Sequence, residues 1–289
     1  MGALFREVFE DSGFTAADPS YHVISVEGVR FVVLLDGEKL TVSSSQPRVC
    51  TVSEVKESDL PAGARLHNTG AAGSVRFFRL RALSKGVTSI RAFGGPISQD
   101  AHMLVIVKRK LQLKIYAHCV HDTAGHATKR PAAEVSKWIG EVNRIWFNRA
   151  NVQVILHGIR DLTFSGDLGR IVTVPNRPGG LSGHPLAKKA VEGVDLNLFL
   201  VWSLQWEGSK DDELALTTLG SAKTPPGMGV TFFQDNAGPN PAVILAHEIG
   251  HHLGLDHKGH KPGDLMAETD RAMSSDPLLT ILDLVIANP

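Results

Sequence analysis

The chain has 289 residues, 43% hydrophobic and 21% charged, with thirty Lys and Arg balanced by thirty Asp and Glu. At about 150 residues per domain this predicts two folded domains and argues against global disorder. A net charge of zero carries no positive excess for a phosphate backbone, so no nucleic-acid partner is expected, and no apolar run approaches the ~20 residues of a membrane span.

Residues 1–20 read as an N-terminal arm. Glu and Asp interrupt them early, leaving no apolar core of signal-peptide length. From 21 to 108 the period is mostly two. The runs Tyr21–Val26, Val29–Leu35, Ser74–Leu80, Thr88–Ala92 and His102–Val107 alternate or stay apolar over strand lengths, with turn residues such as Asp36-Gly37 between them. Short strands without a convincing helix predict a small all-β sandwich over 21–108. Within it, Leu40-Thr-Val-Ser-Ser-Ser-Gln-Pro-Arg-Val-Cys-Thr-Val52 and Lys85-Gly-Val-Thr-Ser-Ile-Arg-Ala92 resemble segments of bacterial immunoglobulin-like domains. That resemblance implies a module that binds a protein partner, docks the chain or acts as a spacer.

Lys108-Arg-Lys110 reads as a short solvated hinge. A second domain, α/β or α+β with a mixed sheet, is expected over 111–289. Leu111–Cys119 alternates as a strand. Val135, Trp138, Ile139, Val142, Ile145 and Trp146 then recur at three and four, predicting a helix from Pro131 to Ala150. Val152–His157, the apolar Val194–Trp202 and Gly229–Phe233 read as strands, with a Gly- and Pro-rich loop from Pro175 to Pro185. Cys50 and Cys119 fall in different predicted domains and are expected to be free thiols.

The chemistry concentrates near the C-terminus, where five of thirteen histidines lie between His247 and His260. Residues 247–257 read His-Glu-Ile-Gly-His-His-Leu-Gly-Leu-Asp-His. On a helix, His247 and His251 differ by ~40° in azimuth, so both imidazoles leave one face, one turn apart. Glu248 stands beside them, placed to act on a water without being a ligand. Gly254 can take positive φ and end the helix, letting the chain return His257 to the same ion. Asn240 is the expected N-cap and Pro241 the first helical residue. Three imidazoles with an open fourth position suit one catalytic Zn2+. His252, ~100° off the ligand face, and His260 are expected to flank the site. His118, His121 and His126, a looser cluster after the first strand, read as scattered surface histidines, with a second metal site as the alternative. Asp195, Asp211, Asp212 and Asp235 lack EF-hand spacing, so no structural calcium is expected.

The pattern at 247–257, followed by Asp264-Leu-Met-Ala267, is similar to that of the metzincin zinc peptidases, His-Glu-x-x-His-x-x-Gly-x-x-His with a later methionine turn. The resemblance implies a zinc-dependent endopeptidase with Glu248 as general base and Met266 as an apolar floor beneath the histidines. It also implies a peptide or protein substrate extended along an edge strand. Gly229, Val230, Thr231 and Phe232, or the segment just before them, are the candidate edge. Residues 267–274 would wall the pocket, and the run from Asp276 to Ile286 resembles the closing helix. Lys258 stands where the family usually carries Glu, Ser or Asp, so the subfamily stays open. A non-classically exported effector with a narrow target is one narrower reading, a cytoplasmic peptidase another. An inactive zinc-containing adhesion protein is the alternative from a different class.

Overall fold

The computed structural model describes residues 4–7, 21–61, 74–94, 100–176, 180–209, 215–217, 228–236, 238, 240–258, 260 and 264–267. Across these the chain is mostly β-sheet with a few helices. It divides into two compact units, residues 1–111 with 148–151 and residues 112–147 with 152–289. Among the described residues no helix is long and apolar enough to cross a membrane.

The first unit contains strands β1 (Leu4–Glu7), β2 (Tyr21–Ser25), β3 (Val29–Leu35), β4 (Thr41–Ser44), β5 (Cys50–Val55), β6 (Val75–Ala82), β7 (Gly86–Phe93) and β8 (Ala101–Lys108). They form two four-stranded sheets, in the orders β1-β3-β6-β5 and β2-β8-β7-β4. Alternation explains the layering. Along β6, Phe78, Leu80 and Ala82 are buried while Arg79 and Arg81 are exposed, so one face turns inward. Val32, Leu34, Phe78 and Leu80 from one sheet share a core with Ile24, Ile90, Met103 and Val105 from the other. Each such side chain contributes about 1.5–3 kcal/mol by leaving water.

Two expectations are corrected here. Residues 4–7, expected in a loose arm, form β1 and pair antiparallel with β3, Phe5 opposite Leu34. Phe5 is buried in the shared core, and that apolar contact holds the strand. Lys108, expected in a solvated hinge, ends β8 and is 5% exposed. Burial holds its ammonium below its ordinary pKa.

The second unit contains β9 (Leu111–Asp122) but for its first residue, α1 (Ala132–Ala150) but for its last three, β10 (Val152–Phe164), β11 (Val172–Val174), α2 (Gly180–Gly183), β12 (Leu196–Val201), β13 (Leu204–Trp206), β14 (Ala215–Thr217), β15 (Gly229–Gln234) and α3 (Pro241–His252). A five-stranded mixed sheet runs in the order β10-β9-β12-β15-β14, and β11 and β13 form a small parallel pair. β12 is parallel to both β9 and β15, whereas β14 is antiparallel to β15.

The period-3.6 face of α1 is buried at Val135, Trp138, Ile139, Val142, Ile145 and Trp146. Trp138 packs on Phe233 of β15 at 5.3 Å between ring centroids. The Trp146 indole N–H donates to the Ala246 carbonyl of α3 at 3.0 Å, tying the two helices together. Phe232, one residue before Phe233, faces the opposite side and joins Phe199, Val172 and Leu204 in a second core. β15 is therefore covered on both faces, and all six of its residues are buried.

Candidate metal centre

α3 begins at Pro241, whose fixed φ suits the first helical position. Asn240 occupies the N-cap position, but its side chain makes no cap hydrogen bond. Its carbonyl instead accepts the Val243 and Ile244 amides at 3.0 and 3.3 Å. The expected side-chain cap is thus replaced by a backbone one, with proline removing one amide that would need a partner.

The other end closes as the glycine predicts. Gly254 has φ +92°. Its amide donates to the His251 carbonyl at 3.0 Å, and the Leu255 amide reaches back to Gly250 at 2.9 Å. This paired pattern is a Schellman motif, which needs a left-handed residue at that point. It reverses the chain and returns His257 toward the helix.

The result brings together the imidazoles of His247, His251 and His257. One ring nitrogen from each lies within 4.8 Å of the other two. Ring centroids are 4.6 Å apart for His247–His251 and His251–His257, and 5.1 Å for His247–His257. Two of the rings are held from behind. His247 Nδ1 lies 2.7 Å from the Leu265 carbonyl and His251 Nδ1 lies 2.9 Å from the Leu255 carbonyl. A carbonyl only accepts, so both Nδ1 atoms carry the proton and both Nε2 atoms present lone pairs. His247 Nε2 faces His257 Nε2 at 3.1 Å. Two nitrogens on a tetrahedral zinc at ~2.05 Å would stand about 3.3 Å apart, so the spacing fits such an ion closely.

Electrostatics favours the neutral, ligating form. Burial, then the neighbouring His251, lowers the His247 pKa to about 3, against the Leu265 carbonyl, which favours protonation. Burial likewise lowers His251. Glu248 is buried at 4% exposure on the same turn. Met266 is fully buried, and its sulfur packs against Gly250 on α3.

The flanking histidines separate. His260 stands 3.6 Å from Asp264, outside the three-imidazole group. His252 is 1% exposed, and among the described residues neither ring nitrogen has a hydrogen-bond partner. Its ring occupies the space a side chain at Gly229 would fill. The candidate substrate edge is corrected: Gly229, Val230, Thr231 and Phe232 lie in β15, between β12 and β14, so among the described strands the outer position belongs to β14 in the segment just before. The surface reading of His118 is also corrected, while His126 stays partly exposed. His118 is buried, its Nε2 on Asn197 Oδ1 at 2.9 Å and its Nδ1 accepting from Arg160 Nε at 3.0 Å. His126 pairs with Asp122. The proposed pocket wall beyond Ala267 and the closing run from Asp276 lie outside the described residues.

Sequence reasoning missed the Leu265 and Leu255 carbonyls, because a backbone acceptor leaves no mark in residue type. It also passed over Gly250, although a glycine inside a helix costs about 1 kcal/mol against alanine and asks for a packing reason.

No family model and no curated protein matches the chain. Domains 4 and 5 of the S-layer protein SbsC align with 31% of this chain and 48% of that one, at 15% identity and TM-score 0.22. Domains 5–6 of the same protein align with 39% and 51%, at 14% identity and TM-score 0.22. The chain thus spans about half the length of these S-layer structures. A sialyltransferase from Photobacterium damsela aligns with 65% of this chain and 36% of that one, at 7% identity and TM-score 0.20. Likeness at this level assigns neither fold nor activity.

Proposed function

We propose that the chain is a zinc-dependent endopeptidase of metzincin type, preceded by an immunoglobulin-like module. The observation that carries the reading is the convergence of three imidazole nitrogens within 4.8 Å of one another, two of them oriented by backbone carbonyls. Anchored Nδ1–H groups fix tautomer and ring angle, as imidazole ligands require. A zinc ion held by His247, His251 and His257 would supply Lewis acidity, polarising a scissile carbonyl and acidifying water.

Glu248, on the turn between the two helical ligands, takes the proton of the attacking water and delivers it to the departing amine. Water is consumed, the C–N bond breaks, and a carboxylate and an amine leave. The antiparallel strand β14 offers its outer edge to an extended peptide. For the first unit, the support is its pair of facing four-stranded sheets, with β4, β5 and β7 spanning the resembling segments.

The test is casein hydrolysis by the full chain with and without chelator, beside Glu248→Gln. The expected outcome is chelator-sensitive cleavage that falls by about 10²–10⁴-fold in the variant while zinc stays bound. Cleavage that survives Glu248→Gln would remove the assigned base. Zinc retained without any cleavage would favour the adhesion reading.

A further inference from the structure

A second group of metal-ligating side chains lies in the C-terminal unit, contributed by separate elements. Asp122 ends β9, His126 follows in the next turn, and Asp167 stands in the loop after β10. One ligand atom from each lies within 4.8 Å of the other two. His126 Nδ1 is 3.0 Å from Asp122 Oδ2 and 3.8 Å from Asp167 Oδ1. These distances bracket the ~3.3 Å expected between two donors on a tetrahedral zinc.

Apart from the His126 Nδ1–Asp122 Oδ2 contact itself, each donor is held by contacts that do not compete with an ion. Asp122 Oδ1 accepts the Ala124 and His126 amides at 3.0 and 2.9 Å, and Oδ2 accepts the Leu168 amide at 3.0 Å. The carboxylate is therefore fixed and ionised, with one lone pair of Oδ2 directed at His126. The His126 ring stacks on Trp202, centroids 5.3 Å apart at 21°. Trp202 is itself anchored through its indole N–H to the Gly169 carbonyl at 3.1 Å. Asp167 Oδ1 also accepts the Gly169 amide at 2.7 Å. Only the proton between His126 Nδ1 and Asp122 Oδ2 lies where a cation would sit, so an ion would enter by displacing it.

We propose that Asp122, His126 and Asp167 form a second, zinc-class metal site that clasps the loop after β9 to the loop after β10. One imidazole with two carboxylates selects a transition ion over calcium or magnesium, which take all-oxygen sets. The side chains of His126 and Asp167 are 28% and 65% exposed, so the fourth position opens to water and the ion exchanges readily. This site stands independently of the peptidase reading.

Zinc content and zinc titration of the full chain test it, with cobalt(II) as the spectroscopic probe. Wild type should hold two equivalents. Asp167→Asn keeps an oxygen for the Gly169 amide, and His126→Phe keeps the stack on Trp202. Each should weaken the second equivalent by at least about 100-fold, since loss even of a ligand's supporting partner costs 10–100-fold. Both should leave the first equivalent and any hydrolysis unchanged. With His247 and His251 both replaced by alanine, one equivalent should remain, with a tetrahedral cobalt spectrum that Asp167→Asn abolishes. A single equivalent that is lost with His247 and His251 and indifferent to Asp167→Asn overturns the second site and leaves the first. A single equivalent that is lost with His126 alone does the reverse.

Discussion

Met266 and Gly250 meet so closely that a Cβ at position 250 would fall inside the contact radius of the methionine sulfur and force that side chain to shift. The helix bearing His247, Glu248 and His251 thus rests on the turn that carries the Leu265 carbonyl, and that carbonyl orients His247.

Gly250→Ala tests this contact with opposing terms. Alanine gains about 1 kcal/mol of helix propensity. Overpacking a fully buried contact costs about 1–3 kcal/mol. A net loss is expected by denaturant unfolding, together with weaker zinc retention. Adding Met266→Ala should relieve the clash, giving a coupling of about 0.5–3 kcal/mol in the double-mutant cycle. Additive effects would mean the sulfur does not press on the helix.

Gly254→Ala tests the turn. At φ +92° a Cβ costs roughly 1–2 kcal/mol, and asparagine tolerates the left-handed region better than alanine. Stability and zinc affinity should fall in the order Gly, Asn, Ala. An alanine variant with wild-type zinc affinity would show that His257 reaches the ion without this reversal.

His118 gives a pH dependence. Its Nδ1 accepts from Arg160 and its Nε2–H donates to Asn197, so a second ring proton would oppose a guanidinium N–H. Burial lowers the pKa to about 4, with Arg160 adding to the shift and Asn197 opposing it. The folded state therefore resists protonation while the unfolded chain takes it up near 6.5. Stability from this group is fully present above about pH 6.5, declines as pH falls toward 4, and is flat below. His118→Gln should reduce the slope of unfolding free energy between pH 6.5 and 4. An imidazole resonance titrating near 6.5 in the native protein would refute the assignment.

The two cysteines are free and buried. Burial raises Cys50 to about 11, against a backbone contact from Arg81 that lowers it. Burial, then Asp161, raises Cys119. For Cys50 only about one thiol in a thousand is thiolate at pH 8, and the thiolate is the reactive form. A thiol reagent at pH 8 should label the native chain in trace amounts and take up two equivalents after denaturation. Rapid native labelling at one position would expose a thiol that this packing buries.

Local pattern made much of the fold legible in advance. The alternation along β6, the three-and-four spacing on α1, and Gly254 as the end of α3 all follow from neighbours within a few residues. So does the pairing of His247 with His251, because one helical turn sets it. The position of β15 was not legible, since an apolar run reads alike at an edge and at a centre, and its neighbours β12 and β14 are chosen by long-range pairing. β1 was missed for the same reason: four residues carry too little periodicity, and only the partner strand β3 identifies them.

By itself the sequence determined the order of His247, Glu248, His251 and His257 and the turn that returns His257, because helix geometry and glycine's freedom act over short distances. The tertiary structure alone decided which carbonyls orient the imidazoles, which strand lies at the sheet edge, and that Asp167 comes beside Asp122 and His126. Those contacts join residues far apart in the chain through backbone groups and packing, which residue type does not encode.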